Sequence, residues 1–523
     1  MPTIAKVSTS VKVPRIDPSS YPLLDEKQVG SIRHIANLAR QLKNDWSNMM
    51  GPTPGSEDFG AYRYQLAYMS YALALGHFHR LPAAPGVFRQ TFDNLIQKML
   101  LPDVWYEWRD TSKGGGVLNN DVPMTDGWFD PIVKDNIMYS AYLQSMTLLY
   151  NVLFDDDKYA VPGALTLKHN PIFWGGQEGH TFEYDQNSVS DRVYWNMVES
   201  GYLGVACEPH CVFMACNQPA ILGFRLHDVL TGANRAAEVT EGYLIAWQEF
   251  GGLLDGAGHY NTLVRTAARQ VVPGHHVWSD AWCGTLMNAW NSGFVKENYA
   301  KQRDSWLTRS ESGTLFVKLP RLLRADTPSD VLGDFGWLAA WASEMGDAET
   351  LAGLLAHADR YMNPGWRSGG YCYPRNDREY DDDGNLISVH PILTNAMLPY
   401  ARLNVRDGLR QLYEKPWQRE HFASPSLAEV SFSVDVLRAV YEADSETLLF
   451  DARKQPDQGV GEILISGVFG KGNWVLTRND REVASSHGSD LNSSEQFMVT
   501  RVGECLRMNI THPEPASYML VWN

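Results

Sequence analysis

Helical periodicity recurs from about residue 27 to about residue 415 with no strand-like run between the segments, and then it stops. Apolar residues spaced by three and four mark one buried face of a helix. Ten to twelve such segments in series must cover one another, because no sheet intervenes for them to pack on. The pattern is expected over Val29–Met50 and from near Ser56, where Tyr64, Tyr68, Tyr71 and Leu75 share a face. It is expected again from Asp130 as N-cap, with Pro131 at the first helical position and the stripe Met138, Tyr142, Met146, Leu149 and Leu153. Further helical segments are 189–202, 219–231, 236–250, 280–292, 328–345, 348–360 and 392–413.

From about residue 424 the period falls to two. Val430, Phe432, Val434 and Val436 alternate with polar residues, and 463–465, 474–477, 497–500, 506–510 and 518–522 read as further strands. The expected fold is mainly α: an α/α barrel of the (α/α)6 type with a small C-terminal β-rich appendage. The expected division is an extended arm over 1–26, a catalytic barrel over 27–420 and the appendage over 421–523.

Charge narrows the function. Lys and Arg number 45 against 61 Asp and Glu, a net charge of −16, and no basic run interrupts it. Such a surface repels phosphate backbones, which excludes nucleic acid as an expected partner. The first eighteen residues carry no apolar core of signal-peptide length, and nowhere do eighteen apolar residues run together. No membrane span and a reducing, cytoplasmic setting are expected, so the sequons at Asn492 and Asn509 carry little weight. Six cysteines are too few for a disulfide scaffold in a chain of 523 residues.

Three of those cysteines, Cys207, Cys211 and Cys216, fall within ten residues. Cys207 precedes Pro209 by two positions and Cys216 precedes Pro219 by three. A proline can open a helix, and a thiol at a helix N-terminus feels the positive end of the dipole, which lowers its pKa. In one unbroken helix, nine positions would put the two thiols on opposite faces. Prolines that break the helix let both face one cavity. Two other readings stay open: buried cysteines acting as small hydrophobes, and a zinc site using Cys207, His210, Cys211 and Cys216. No dinucleotide or phosphate-loop motif is present, and the acidic turn Glu379–Gly384 lacks the last calcium ligand, with His390 in its place.

Around these thiols the chain resembles the linalool dehydratase/isomerase family. The resemblance rests on the stretch Tyr194–Asp228, with its Cys-Glu-Pro and Cys-Asn-Gln-Pro-Ala-Ile-Leu-Gly-Phe-Arg-Leu-His-Asp runs. It implies a cofactor-free α/α barrel that isomerises and dehydrates terpenoid alcohols, with neither metal nor cofactor. Cys207 and Cys216 match the family's two catalytic cysteines. Asp58 and Tyr64 match its Asp and Tyr, which in the family reach into the neighbouring subunit of a pentameric ring. A homo-oligomer with its site at a subunit interface is therefore implied. The family's Met-Tyr-Ser-Gly-His motif stands here as Met138-Tyr139-Ser140-Ala141-Tyr142. Tyr142 thus replaces a histidine, and tyrosine, with a reference pKa near ~10, is a poor base at neutral pH. Tyr142 is expected to orient oxygen rather than to abstract a proton.

The residue types agree with such chemistry. Losing a hydroxyl from an allylic alcohol needs an acid, a base and a dry aromatic cavity that tolerates cationic character. Tyr68, Met138, Phe213, Tyr243 and Trp247 are the expected lining, with an apolar small molecule as the partner. A carbohydrate-processing enzyme remains a different possibility, with Glu178, Glu183, Asp185 and Asp255 as carboxylates and His275 or His276 assisting. So does a non-catalytic binding role.

Overall fold

A computed structural model of the chain describes residues 16–49, 62–116, 119, 121–170, 179–274, 276–318, 334–456, 459–488, 490–494 and 497–522. Its helices in chain order begin with α1 (Glu26–Ala39), α2 (Tyr62–His79), α3 (Pro85–Met99), α4 (Pro102–Trp105), α5 (Trp108–Thr111) and α6 (Ile137–Phe154). They continue with α7 (Gln186–Glu199), α8 (Met214–Thr231), α9 (Arg235–Gln248), α10 (Val277–Met287) and α11 (Ser292–Trp306). The last are α12 (Asp334–Met345), α13 (Ala348–Tyr361), α14 (Pro391–Leu403), α15 (Gly408–Glu414) and α16 (Arg419–Ala423). Among the described residues no helix is long and apolar enough to cross a membrane.

The chain divides into two compact units. The larger holds residues 30–79 and 89–417. In it α2, α6, α8, α10, α12 and α14 pack in a closed cycle, each on the next and α14 on α2. Composition explains why these six lie inside. On α2 every residue from Arg63 to His77 is buried, and on α10 every residue is. A helix apolar all round must be covered on every side. The helices α7, α9, α11 and α13 follow α6, α8, α10 and α12 in turn and pack against them as an outer layer, burying one stripe each. Neighbouring inner helices touch at matching depth, as where Gln65 Nε2 donates to Pro391 O (3.0 Å) and Tyr68 Oη meets Tyr142 Oη (2.9 Å). Helix starts also meet helix starts. Tyr64 of α2 meets Met138 of α6 and lies near Cys216 of α8, Trp278 N of α10 donates to Asp334 of α12 (2.6 Å), and Gly336 of α12 lies against Leu393 of α14. The six therefore run parallel with their N-termini at one end.

Short antiparallel ribbons connect the helices: β1 (Leu165–His169) with β2 (His180–Tyr184), and β3 (Cys211–Phe213) with β4 (Leu263–Arg265) and β5 (Gln270–Val272). Two more are β6 (Leu307–Arg309) with β7 (Leu315–Val317) and β8 (Gly365–Arg367) with β9 (Gly370–Cys372). The expectation of helices with no strand between them is corrected here. Most of these strands are three residues long, too short to show a period of two.

Other boundaries shift for local reasons. The helix expected from Asp130 starts at Ile137. Asp130 caps only a turn, accepting from Ile132 N (2.9 Å) and Val133 N (3.3 Å), and Asp135 and Asn136 then both adopt φ 53°, outside any right-handed helix. The segment expected over 392–413 breaks into α14 and α15. Asp407, at φ 53°, is held out of the helix by Asn288 and Lys296. Helices α3 and α11 were not foreseen.

The smaller unit holds residues 1–29, 80–88 and 418–523. One sheet orders β10 (Ser426–Val430), β13 (Gly461–Ser466), β18 (Cys505–Ile510) and β17 (Val499–Val502). The other orders β11 (Val434–Glu442), β12 (Thr447–Lys454), β19 (Ala516–Trp522), β14 (Trp474–Arg478), β15 (Arg481–His487) and β16 (Asp490–Ser493). All pairs are antiparallel. Ile463, Ile465, Leu506, Met508 and Ile510 alternate inward, as a sheet with one covered face requires. The chain is thus mainly α with a β-rich C-terminal part.

Two buried carboxyls give the larger unit a pH signature. Burial raises Asp334, which accepts from Trp278 N (2.6 Å), to about 7. It also raises Glu344, bonded by Tyr400 and Asn404, to about 7. A carboxyl held above its unfolded pKa favours the folded state at low pH, and that support is lost as pH climbs from about 4 through about 7. His34 and His390, pushed down to about 4 by burial, act in the opposite sense. A difference measurement separates the two. Asp334→Asn and Glu344→Gln should each gain stability relative to the parent as pH rises across that window, on the order of 3 kcal/mol at its upper end. Denaturant melts of variant and parent at matched pH check this, and a constant difference would refute it.

Candidate active site

The N-terminal end of the helical ring gathers the thiols. Cys207 sits on a tight turn in which its N–H donates to Cys211 O (2.9 Å) and Cys211 N–H donates to Glu208 O (2.9 Å). The chain then enters β3 and turns directly into α8, whose third residue is Cys216. The expectation that both thiols precede helix-opening prolines is corrected. Pro209 lies in the turn, and Pro219 lies inside α8 rather than at its start. The two thiols nevertheless lie close enough to act on each other electrostatically, and both are buried.

Asn217 makes that meeting possible. Its Oδ1 accepts from Val205 N (2.8 Å), while its Nδ2 donates to Val205 O (3.0 Å) and Phe213 O (2.7 Å). One side chain therefore pins the segment before Cys207 to the first turn of α8. Sequence reasoning passed over it, although it lies beside Cys216 in the Cys-Asn-Gln-Pro run.

Aromatic side chains close around the thiols. Tyr64 points its edge at Trp282 (5.7 Å between centroids) and Tyr142 (5.8 Å), and its hydroxyl donates to the Met138 thioether. Tyr68 bonds Tyr142 and stands edge-on to Trp337 (4.7 Å). Trp282 stacks on Trp337 at 5.0 Å and 13°. The ring interior is thus filled by aromatic faces from α2, α6, α10 and α12. Tyr243 reaches in from α9 near Cys216 and Cys283, with its hydroxyl 3.4 Å from Gln218 Nε2. Trp247 packs on Tyr243 and fastens Leu203 O through its indole N–H (3.1 Å). Phe213 is half-buried and precedes α8. Trp282 and Trp337 were not foreseen, nor was Cys283, which lies in electrostatic reach of Cys216.

Asp58 lies outside the described residues, as do Glu178 and His275. Tyr64 was expected to serve a neighbouring subunit. That expectation is corrected: α2 is buried within its own ring, so Tyr64 meets Met138 and Tyr142 of the same chain. Of the alternative carboxylates, Glu183 is exposed on β2, Asp185 caps α7, and Asp255 caps the turn at Ala257 and His259. His276 stacks on Trp278 before α10. Among the described residues no group of three or more His, Cys, Asp or Glu is placed to hold a metal ion.

Electrostatically the site is a set of neutral acids. Burial lifts the Cys207 thiol well above its ordinary range, and its interaction with Cys216 and with the Glu208 charge adds to this. The helix-dipole lowering expected for Cys207 is therefore reversed, because this thiol is buried on a turn and not at a helix terminus. Burial likewise raises Tyr64, Tyr68 and Tyr142. At neutral pH this end of the ring presents S–H and O–H donors over aromatic faces. It can protonate a leaving oxygen and shelter cationic character from water.

The chain belongs to the linalool dehydratase/isomerase family, whose model matches residues 63–379. It is also similar to two solved structures. One is an inactive variant of the alpha-1,6-mannanase GH76A of Salegentibacter sp. HEL1_6, at 12% identity and TM-score 0.42, covering 72% of this chain and 99% of that one. The other is the Lin0763 protein from Listeria innocua, at 9% identity and TM-score 0.43, covering 72% and 96%. At these scores neither likeness bears on function.

Removing the Asn217 side chain strands Val205 N–H and two carbonyls in the interior. Asn217→Ala should cost about 2–4 kcal/mol in denaturant melts and speed alkylation of Cys207 in the native protein. An unchanged alkylation rate would show that Asn217 does not hold the Cys207 turn.

Proposed function

We propose that this member of the linalool dehydratase/isomerase family is a cofactor-independent lyase or isomerase acting on a hydroxylated, terpenoid-like substrate. The reaction is a dehydration, a double-bond shift or a cyclisation. The observation that carries the reading is the buried, interacting pair Cys207 and Cys216, set among Tyr64, Tyr68, Tyr142, Trp282 and Trp337 at the N-terminal end of the helical ring. The ring itself is read as an (α/α)6-type barrel and as the catalytic domain.

In this reading one thiol gives its proton to the leaving hydroxyl, and the thiolate so formed, or its partner after passing its own proton across, takes the proton lost from carbon, so both thiols are restored. Tyr64 and Tyr142 orient the oxygen, and Asp58 relays or holds a proton. Aromatic faces stabilise the allylic cation as the C–O bond stretches, and exclusion of water keeps it from being trapped. Met138, Tyr68, Phe213, Tyr243 and Trp247 shape the apolar volume. Tyr142 stands where the family's histidine would be, which directs the reading towards a related reaction on a different, larger substrate. A homo-oligomer, as the family's pentamer suggests, is part of the same proposal.

The full-length protein, treated with chelator, is to be incubated with a panel of allylic terpenoid alcohols of increasing chain length. Turnover is expected, and Cys207→Ala and Cys216→Ala should each lower kcat by about 10²-fold or more. Activity untouched by both substitutions would sink the thiol mechanism. Turnover of oligosaccharides in place of the alcohols would move the chain to a different class.

A further inference from the structure

The start of α14 lies at the same end of the ring as the thiols and holds polar side chains that the proposed chemistry leaves idle. Asn376 and Val389 exchange backbone hydrogen bonds in both directions (3.0 and 2.9 Å), and Asn376 Nδ2 also donates to Ile387 O (2.8 Å). His390 follows that bridge as the N-cap of α14, and its carbonyl accepts from Thr394 N (3.2 Å). The backbone is thus fixed on both sides of His390. The side chains are buried but unpaired. His390 is 2% exposed, and neither ring nitrogen has a hydrogen-bond partner among the described residues. Thr394, four positions on and on the same helix face, is fully buried with its hydroxyl unpartnered. Gln65 of α2 reaches the same place. Its Nε2 donates to Pro391 O (3.0 Å), and its Oε1 has no partner. Buried polar atoms are almost always paired, and a group of them left unpaired in one place calls for an explanation.

We infer that His390, Thr394 and Gln65 form a subsite for a second hydroxyl of the substrate, distinct from the one that leaves. The inference rests on the terpenoid reading above and narrows its substrate class to diols. The three side chains select a hydroxyl. Gln65 Nε2 is committed as a donor to Pro391 O, so the amide orientation is fixed and Oε1 is a pure acceptor. Burial pushes His390 down to about 4, so at neutral pH its ring is uncharged, with one N–H donor and one bare nitrogen. Thr394 can donate or accept. A hydroxyl can donate to Gln65 Oε1 while accepting from His390 and Thr394. A carbonyl oxygen would leave Oε1 facing another acceptor. A carboxylate would do the same and find no free cation, because the charges that reach His390 are Arg375 and Asp377, paired with each other at 2.9 Å.

Ring order places this subsite relative to the thiols. The cycle runs α2, α6, α8, α10, α12, α14, so α14 stands three helices from α8 in either direction. Cys216 and His390 therefore start helices on opposite sides of the ring. Neighbouring axes about 9 Å apart put opposite helices roughly 18 Å apart, with side chains reaching inward from both. Between them lie the aromatic faces of Tyr64, Tyr68, Trp282 and Trp337. A substrate that spans this distance has its leaving hydroxyl at one end, its retained hydroxyl at the other, and its apolar skeleton over the rings.

The full chain is tested with matched allylic terpenoid alcohols that carry or lack a second hydroxyl at the far end. Parent kcat/KM should favour the diol by about 10²-fold or more. Thr394→Val, which keeps the shape and removes the hydroxyl, and His390→Leu should each cut that preference at least about tenfold. Binding is read separately with saturated diols, which cannot react. They should raise the melting temperature of the parent where saturated mono-alcohols do not, and raise that of Thr394→Val less. Without ligand, Thr394→Val should equal or exceed the parent in stability, because it removes an unpaired buried polar atom. A Thr394→Val chain that is less stable and keeps the diol preference shows a hydroxyl serving the fold, and overturns the subsite. So does a parent that treats diol and mono-alcohol alike. A parent that turns over no allylic alcohol overturns the terpenoid reading instead, and the saturated diols alone then decide the subsite.

Discussion

Close approach of helix backbones is the constraint from which the rest follows. Six helices close into one ring only if each can seat the side chains of the next. Gly284 on α10 lies directly under the Trp341 ring of α12, and Gly223 on α8 lies under the Gln144 side chain of α6. A Cβ at either position would collide with its neighbour. These contacts fix spacing and depth, and the meeting of helix starts, as of Trp278 N with Asp334, fixes direction. Once the helices are parallel, their six N-termini must share an end, and the linking turns that carry Cys207 and His390 must meet there.

That end combines two opposed electrical features. Helix N-termini bring partial positive charge, which favours oxyanions and thiolates. The faces of Trp282, Trp337 and the tyrosines bring partial negative charge, which favours a carbocation. A reaction that separates hydroxide-like from carbocation-like character needs both, a few ångströms apart. Burial then holds Cys207, Tyr64, Tyr68 and Tyr142 towards their neutral forms. The Arg63–Glu107 ion pair lies in the interior near Cys207, and Glu208 belongs to the five-residue turn that holds Cys207.

Much of this was legible in the sequence, unevenly. The switch from helical to alternating periodicity located the β-rich part, because each pattern extends over several turns or strands. Cys207 and Cys216 were legible as a pair, but for a partly mistaken reason. The prolines suggested two helix starts, whereas the actual device is a β-turn and an asparagine with three backbone contacts. Such a device has no periodicity to read. Helix α11 escaped because its sequence is largely polar and it buries Val295, Tyr299 and Gln302 over fifteen residues. Strand β12 escaped because Thr447–Ala452 is buried on both faces and does not alternate. Trp282 and Trp337 looked like ordinary core, since a residue crossing the centre of a ring has the same local pattern as one packing against a neighbour.

Tyr64 reaches the thiols from within its own chain. Its contribution is therefore immune to mass action: diluting the protein cannot pull it away from Cys216. It also frees the outer surface from a double duty. Residues at any contact between chains can drift, or be exchanged for those of a different assembly, without altering the hydroxyl set beside the Met138 sulfur.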